Sequence, residues 1–412
     1  MADDWKETSL ATVIDVKHGF AFPGENIRDE PPGDILLTPG NFAFGGGFKG
    51  DKFKYFDGEV PEDYVLNEGD LIVTMTDLSK QADTLGYPAI VPRPRGQRFL
   101  HNQRLGKVLI KTGVELDQRF LFYLLRTAEY RHEVLASATG TTVKHTSPGR
   151  ILAHKAKIPL LDKQKAIASV LGALDDKIGL NRRMNETLEA LAQTIFKSWI
   201  VDAANAKLPK GWREGPILEL AKLMSGGTPK TEQKEYWDGD ILWASAKDVS
   251  QCGQTFLVTT ERTITTKGIE ESSTQMIPAF CTVVVARGAT TGRMVLFGRD
   301  MAMNQTCYAL ASTTGTPFAL YCMTRQKMSA LVQTAHGSVF DTITTSSFAS
   351  QKIALPPQEI LQQFEKVVSP LFQRILANTK ESRTLAALRD ALLPKLLSGE
   401  LRVPAKLKEA VA

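Results

Sequence analysis

One pattern constrains this chain more than any other. Ile167, Leu171, Leu174, Ile178, Asn181, Asn185, Leu188, Ala192, Ile195 and Trp199 are spaced alternately by four and three residues. That is the interval at which one stripe of an α-helix faces a partner helix. The same stripe recurs 197 residues later as Phe364, Val368, Leu371, Ile375, Asn378, Ser382, Leu385, Arg389, Leu392 and Leu396. Even the polar interruption is repeated, Asn181 and Asn185 answering to Asn378 and Ser382. A single stripe would describe an ordinary buried helix face. Two in one register predict helices that pack on each other, with the polar layer fixing the register at some cost in stability.

The repeat extends upstream with a drifting offset, as loop insertions would produce. Gly33-Asp-Ile-Leu36 returns as Gly239-Asp-Ile-Leu242, Asn102-Gln103 as Asn304-Gln305, and Phe120-Leu-Phe-Tyr123 as Phe318-Ala-Leu-Tyr321. The organisation is therefore head, helix, head, helix, with an internal pseudo-twofold repeat. Each head mixes runs of strand length, Asp70–Thr76 and Cys281–Ala286, with helical spacing over Phe120–Leu135 and Pro317–Thr334. The expected fold is α+β: two globular heads separated by two long helices that pair as an antiparallel coiled coil. The boundaries fall at 1–158, 159–205, 206–354 and 355–412. From Ile167 to Trp199 a helix rising ~1.5 Å per residue spans on the order of 50 Å, which is one to two turns of duplex DNA at ~34 Å each.

Composition narrows the class. At 43% hydrophobic and 23% charged residues the chain reads as a globular protein. No run reaches the ~18 apolar residues of a spanning helix, and the polar opening Met1-Ala-Asp-Asp-Trp5 lacks a signal-peptide layout, so a cytoplasmic location without membrane contact is expected. A net charge of +5 permits a polyanionic partner. Cys252, Cys281, Cys307 and Cys322 are scattered without paired spacing, which reads as buried reduced thiols rather than a metal site.

Several strings, taken in their order and spacing, resemble the specificity subunits of type I restriction-modification systems. They are Thr139-Gly-Thr-Thr-Val-Lys-His-Thr-Ser147, Ile158-Pro-Leu-Leu-Asp-Lys-Gln-Lys-Ala-Ile167, Asn181-Arg-Arg-Met-Asn-Glu-Thr-Leu-Glu189, Ser225-Gly-Gly-Thr-Pro-Lys230, Tyr236-Trp-Asp-Gly-Asp-Ile-Leu-Trp243, Arg287-Gly-Ala-Thr-Thr-Gly-Arg293 and Leu393-Pro-Lys-Leu-Leu-Ser-Gly-Glu-Leu401. The resemblance covers essentially the whole chain. It implies that the heads are target recognition domains, each reading half of an interrupted double-stranded DNA sequence. It also implies that the helices dock two methyltransferase subunits, through which ATP-dependent restriction subunits join. The heads open differently, Lys17-His-Gly-Phe-Ala-Phe against Leu223-Met-Ser-Gly-Gly-Thr, which implies an asymmetric target.

Catalytic motifs are not legible. Pro31-Pro32 and Pro356-Pro357 lack the flanking Asn/Asp and aromatic residues of an amino-methyltransferase. Gly288-Ala-Thr-Thr-Gly-Arg293 lacks the interval and Lys-Ser/Thr of a phosphate loop and reads first as a turn between strands. The six histidines show no metal-ligand spacing. No enzyme activity, cofactor or metal is therefore expected. Candidate phosphate or base contacts are Lys49, Lys52 and Lys54, interleaved on an expected strand with Phe48, Phe53, Tyr55 and Phe56, so that lysines and aromatics take opposite faces. Arg93, Arg95 and Arg98 form a basic loop stiffened by prolines, and Lys80, Lys144 and His145 are weaker candidates. In the second head they are Lys230, Lys234, Lys247, Arg287, Arg293 and Arg299. The Asn-Gln pairs suit a scaffold role at least as well as adenine reading. The competing readings are a dumbbell scaffold that joins proteins through its helix faces and Arg182-Arg183, and a self-contained methyltransferase or nuclease.

Overall fold

The computed structural model describes residues 5–79, 81–94, 96–206, 208–336 and 342–404. The chain forms two compact units, Met1–Asp176 with Leu385–Ala412, and Lys177–Thr384. Both units mix sheets and helices.

In the first unit, Trp5–Ser9 pairs antiparallel with Lys155–Pro159, so the head is closed at its base by its own first and last strands. Between them lie two sheets. One runs Ile14–His18, Leu105–Ile110, Leu71–Thr74, Pro88–Ile90; the other runs Ile27–Arg28, Lys54–Phe56, Asp34–Leu37, Phe99–His101, Val65–Leu66. The run Leu71–Thr74 is buried on both faces, which accounts for its continuous apolar composition. Over Phe120–Leu135 the chain makes two helices, Gln118–Leu124 and Ala128–Ala136, instead of one. The break comes at Thr127, whose hydroxyl caps the second helix by accepting from Tyr130 N at 3.4 Å.

The second unit repeats the device. Arg213–Pro216 pairs antiparallel with Lys352–Leu355. One sheet runs Ala221–Ser225, Cys307–Ser312, Thr282–Val285, Met294–Phe297, Phe256–Leu257, and a smaller one Arg262–Ile264, Trp237–Ala244, Ala302–Met303. The helix Pro317–His336 is continuous. Cys281, Cys307 and Cys322 are buried and unpaired, while Cys252 is half-buried. Burial pushes the Cys307 thiol up to about 12.

The repeat shows in local geometry. A Cβ at Gly19 would lie 2.0 Å from the Asn102 carbonyl oxygen, and one at Gly226 would lie 2.2 Å from that of Asn304, so both crossings need glycine. Asn102 Oδ1 accepts from Arg104 N at 2.9 Å and Asn304 Oδ1 from Thr306 N at 3.2 Å. Both asparagines shape turns.

The long helices are Leu161–Phe196 and Gln358–Leu397. Within the second unit they run antiparallel: Phe196 meets Phe364 edge-on, Asn378 Nδ2 donates to Asn185 Oδ1 at 2.9 Å, and Asn181 Nδ2 donates to Ser382 Oγ at 3.2 Å. The repeated polar interruption is thus one hydrogen-bonded layer. Within the first unit Ile167 and Leu171 share a core with Leu393 and Leu396, and Asp175 pairs with Arg389 at 2.5 Å. The seam drifts from the strict heptad. Leu174, Ile178, Leu188, Ile195, Leu371, Leu385 and Leu392 are half-buried, whereas Phe196, Ile200, Phe372 and Leu393 are buried. Trp199, placed in the stripe by its spacing, is 40% exposed. A straight helix drifts ~20° per heptad, and the π-helical turn Lys197–Asp202 rotates the face further.

Candidate nucleic-acid interface

In the first head three loops lie side by side. The tip Ala43–Gly47 is closed by Ala43 N donating to Gly47 O at 2.9 Å, and Gly47 N ties it to Pro88 O at 2.8 Å. The loop Asp77–Thr84 is organised by the Asp77 carboxylate, which accepts from Ser79 N at 2.6 Å and Thr84 Oγ1 at 2.7 Å. Burial opposes ionisation there, but these hydrogen bonds from Thr84 and Ser79 outweigh it and hold the carboxyl below its ordinary range. The hairpin Thr139–His145 is closed by reciprocal backbone bonds of 3.0 and 2.8 Å, and its strand Lys144–His145 pairs with Thr76–Asp77. His145 Nδ1 lies 3.1 Å from Thr76 Oγ1, a contact that fixes the hairpin.

The expected lysine strand is corrected by the structure. Only Lys54–Phe56 is strand. Asn41 Nδ2 donates to the carbonyls of Lys49 at 3.3 Å and Lys52 at 2.8 Å, which draws that stretch out of any ladder. Lysines and aromatics are not on opposite faces either. Phe48, Phe53 and Tyr55 pack on one core, while Phe56, in step with Lys54, packs on another. Lys49, at the foot of the Ala43–Gly47 tip, lies 3.5 Å from Asp51, and Lys52 is exposed. Lys54 is bound to Asp29.

Arg98 is committed elsewhere: its guanidinium meets Asp34 at 2.6 Å and Glu62 at 2.8 Å. The hydrogen bond it donates to Asp34 raises its already high pKa. This fork holds the sheet edge, so Arg98 is a structural residue. Arg93 is exposed on the same loop. Lys80 and Arg95 lie outside the described residues. Lys144 is half-buried on the hairpin strand.

In the second head the loop Ser225–Lys230 is pinned by two indoles. Trp243 Nε1 donates to Gly227 O at 3.0 Å and Trp237 Nε1 to Lys230 O at 3.1 Å. Lys230 projects from this rim into solvent. Beside it Arg262 lays its guanidinium 3.4 Å from the Trp237 ring centroid, a flat, pre-oriented cation that no local spacing announced. Lys247 bridges to Glu261 at 2.7 Å. Arg287 and Arg293 are exposed at the two ends of the turn joining Thr282–Val285 to Met294–Phe297. The Gly288–Gly292 segment is that turn.

Each head thus carries an exposed rim with cationic residues, on loops held by buried polar or aromatic groups. Among the described residues no cluster of His, Cys, Asp or Glu could hold a metal, and no helix is long and apolar enough to cross a membrane. Residues 2–190 and 209–385 match the family described as the type I restriction modification DNA specificity domain. The chain is 26% identical over 347 residues to the type I restriction enzyme MjaIX specificity subunit of Methanocaldococcus jannaschii, covering 77% of this chain and 76% of that one. It is 25% identical to the HindI specificity subunit of Haemophilus influenzae, covering 97% and 100%. The crystal structure of a type I restriction-modification S subunit from M. genitalium shares the fold, with a TM-score of 0.59 at 15% identity and coverage of 95% and 96%. With both halves matched by one family, this chain belongs to the type I restriction-modification DNA specificity family.

Proposed function

We propose that this chain reads a bipartite, asymmetric DNA target, one half-site per head, and does no chemistry of its own. The target recognition domains are 1–158 and 206–354, and the helical segments 159–205 and 355–412 dock two methyltransferase subunits and, through them, ATP-dependent restriction subunits in the cytoplasm. The observation that carries this reading is the contrast between scaffold and rim. The helix stripe, the base strand pair and the asparagine turns are repeated, while the exposed residues differ: glycine loop and lysines in one head, tryptophan-backed arginine and lysine in the other. Phosphate contacts from such cations supply affinity, and a few side chains at base edges supply selectivity.

Selection of a random duplex library by the chain with its methyltransferase partners tests this. Two short motifs at a constant gap are expected, and replacing residues 1–158 by another head should change one motif only. A correctly assembled complex that enriches no sequence would leave the dumbbell scaffold as the better description.

A further inference from the structure

Phe44 is 78% exposed, the most exposed large apolar side chain among the described residues. It sits at the tip of a loop whose next three residues, Gly45, Gly46 and Gly47, take φ of 79°, 91° and 104°. An L side chain rarely adopts these values. Beneath the tip lies Arg126, whose side chain is 6% exposed. Its Nε donates to Gly45 O at 2.6 Å. A Cβ at Gly46 would come within 3.1 Å of the Arg126 Cγ and Cδ. Arg126 Nη1 in turn meets Asp175 Oδ2 at 3.1 Å, and Tyr123 OH donates to the same oxygen at 2.8 Å.

A buried guanidinium thus holds up a loop that adds nothing to the core and presents one ring to solvent. Burying a charge is unfavourable unless it is paired, so the arrangement fixes the position of the tip rather than stabilising the head. The surroundings suit one kind of ligand. Lys49 and Lys52 follow the tip in sequence, Phe44 meets the Tyr87 ring edge-on at 6.2 Å, and the Arg131 guanidinium lies 4.3 Å from the centre of that ring. One exposed ring beside an aromatic neighbour that carries a cation, with two lysines following in sequence, matches a base edge flanked by phosphates. A protein partner would call for a broader apolar patch.

Resting on the DNA-reading function above, we propose that Phe44 is a base-contacting residue of the first head, and that Arg126, anchored on Asp175, is its positioning residue. The test uses the complex of the full chain with its methyltransferase partners and the duplex recovered by selection. Phe44→Ala is expected to weaken binding to that duplex about ten-fold, with no change on a duplex scrambled in the half-site of the first head and no change in thermal unfolding. A photoreactive phenylalanine analogue at position 44 is expected to crosslink to a base in that half-site. Wild-type affinity in Phe44→Ala, or crosslinking to a methyltransferase subunit, overturns the assignment. Failure of the wild-type complex to select any sequence is a separate outcome: it removes the DNA-reading function itself, and with it the basis for a base contact.

Discussion

One position of the repeat separates the two units chemically. Tyr123 and Tyr321 occupy equivalent places and each donates, at 2.8 Å, to a carboxylate on the first long helix, Asp175 or Glu189. The repeat partner of Asp175, however, is Phe372, and that of Arg389 is Ala192. In the first unit Asp175 gathers Tyr123, Arg126 and Arg389 into an ionic knot. In the second, Phe372 stacks on Phe318 at 4.6 Å and 7°, and the buried Ala192 shares that core. At this pair of positions charge against charge in one unit corresponds to large against small in the other, while the second unit keeps its ion pair between Glu189 and Arg325. The two solutions join a head helix to the same scaffold but fail under different stresses, since apolar burial depends on packing and an ion cluster on protonation and on every partner being present.

The largest effect should come from the aromatic side. Phe372 is fully buried against Phe318, Tyr321 and Phe256, so Phe372→Ala should cost about 3–5 kcal/mol. In denaturant unfolding the second unit's transition should move to lower concentration while the first unit's stays in place. A uniform shift of both would mean that the units do not unfold separately.

Acidity should drive the units in opposite directions. Glu365 accepts from Phe318 N at 3.1 Å and Ala319 N at 2.9 Å, capping the helix Pro317–His336. Burial pushes its carboxyl up to about 7 against these bonds. Its folded pKa lies above the unfolded one, so the second unit is favoured below about 4.5 and loses stability as pH rises toward about 7. His101 is also buried, its Nε2 lying 3.0 Å from Leu105 O, and burial lowers it to about 4. The first unit therefore holds this contribution above about 6.5 and loses it as pH falls toward about 4. Each effect is on the order of 3 kcal/mol. Melting curves from pH 4.5 to 8 should show the two transitions moving oppositely, and Glu365→Gln should flatten the second.

A smaller change tests the ionic knot. Asp175→Asn keeps the shape but leaves Arg126 and Arg389 without their shared charge, and should cost about 2 kcal/mol in the first unit. Burial opposes ionisation of Asp175, but the two arginines outweigh it and hold the carboxyl below its ordinary range, so the loss should shrink in strong acid. A pH-independent penalty would mean that Asp175 acts through packing alone.

The helices were legible because heptad spacing is local, and the polar layer because both copies spell it out. The binding rims were less so, since their determinants are distant in sequence. Arg98 looked available in its loop, yet its partners Asp34 and Glu62 lie 64 and 36 residues away. The alternation from Phe48 to Phe56 suggested a strand until Asn41, from before the segment, claimed two of its carbonyls. Arg262 and Trp237 meet only because their strands pair. Phe44 carried no signal beyond its glycines. What marks it is the buried arginine below, 82 residues further along.

The paired strands at the base of each head have a consequence for how such a chain can change. Trp5–Ser9 with Lys155–Pro159, and Arg213–Pro216 with Lys352–Leu355, bring the two ends of each head to neighbouring places. Everything between Ser9 and Lys155, or between Pro216 and Lys352, hangs from a clasp about 4.8 Å wide. An insert must bring its ends together at that spacing and also meet the helices, through contacts such as those of Tyr123 and Arg126 with Asp175 or of Phe318 with Phe372. A head that keeps both the clasp and those helix contacts can differ everywhere else while the scaffold behind it stays the same.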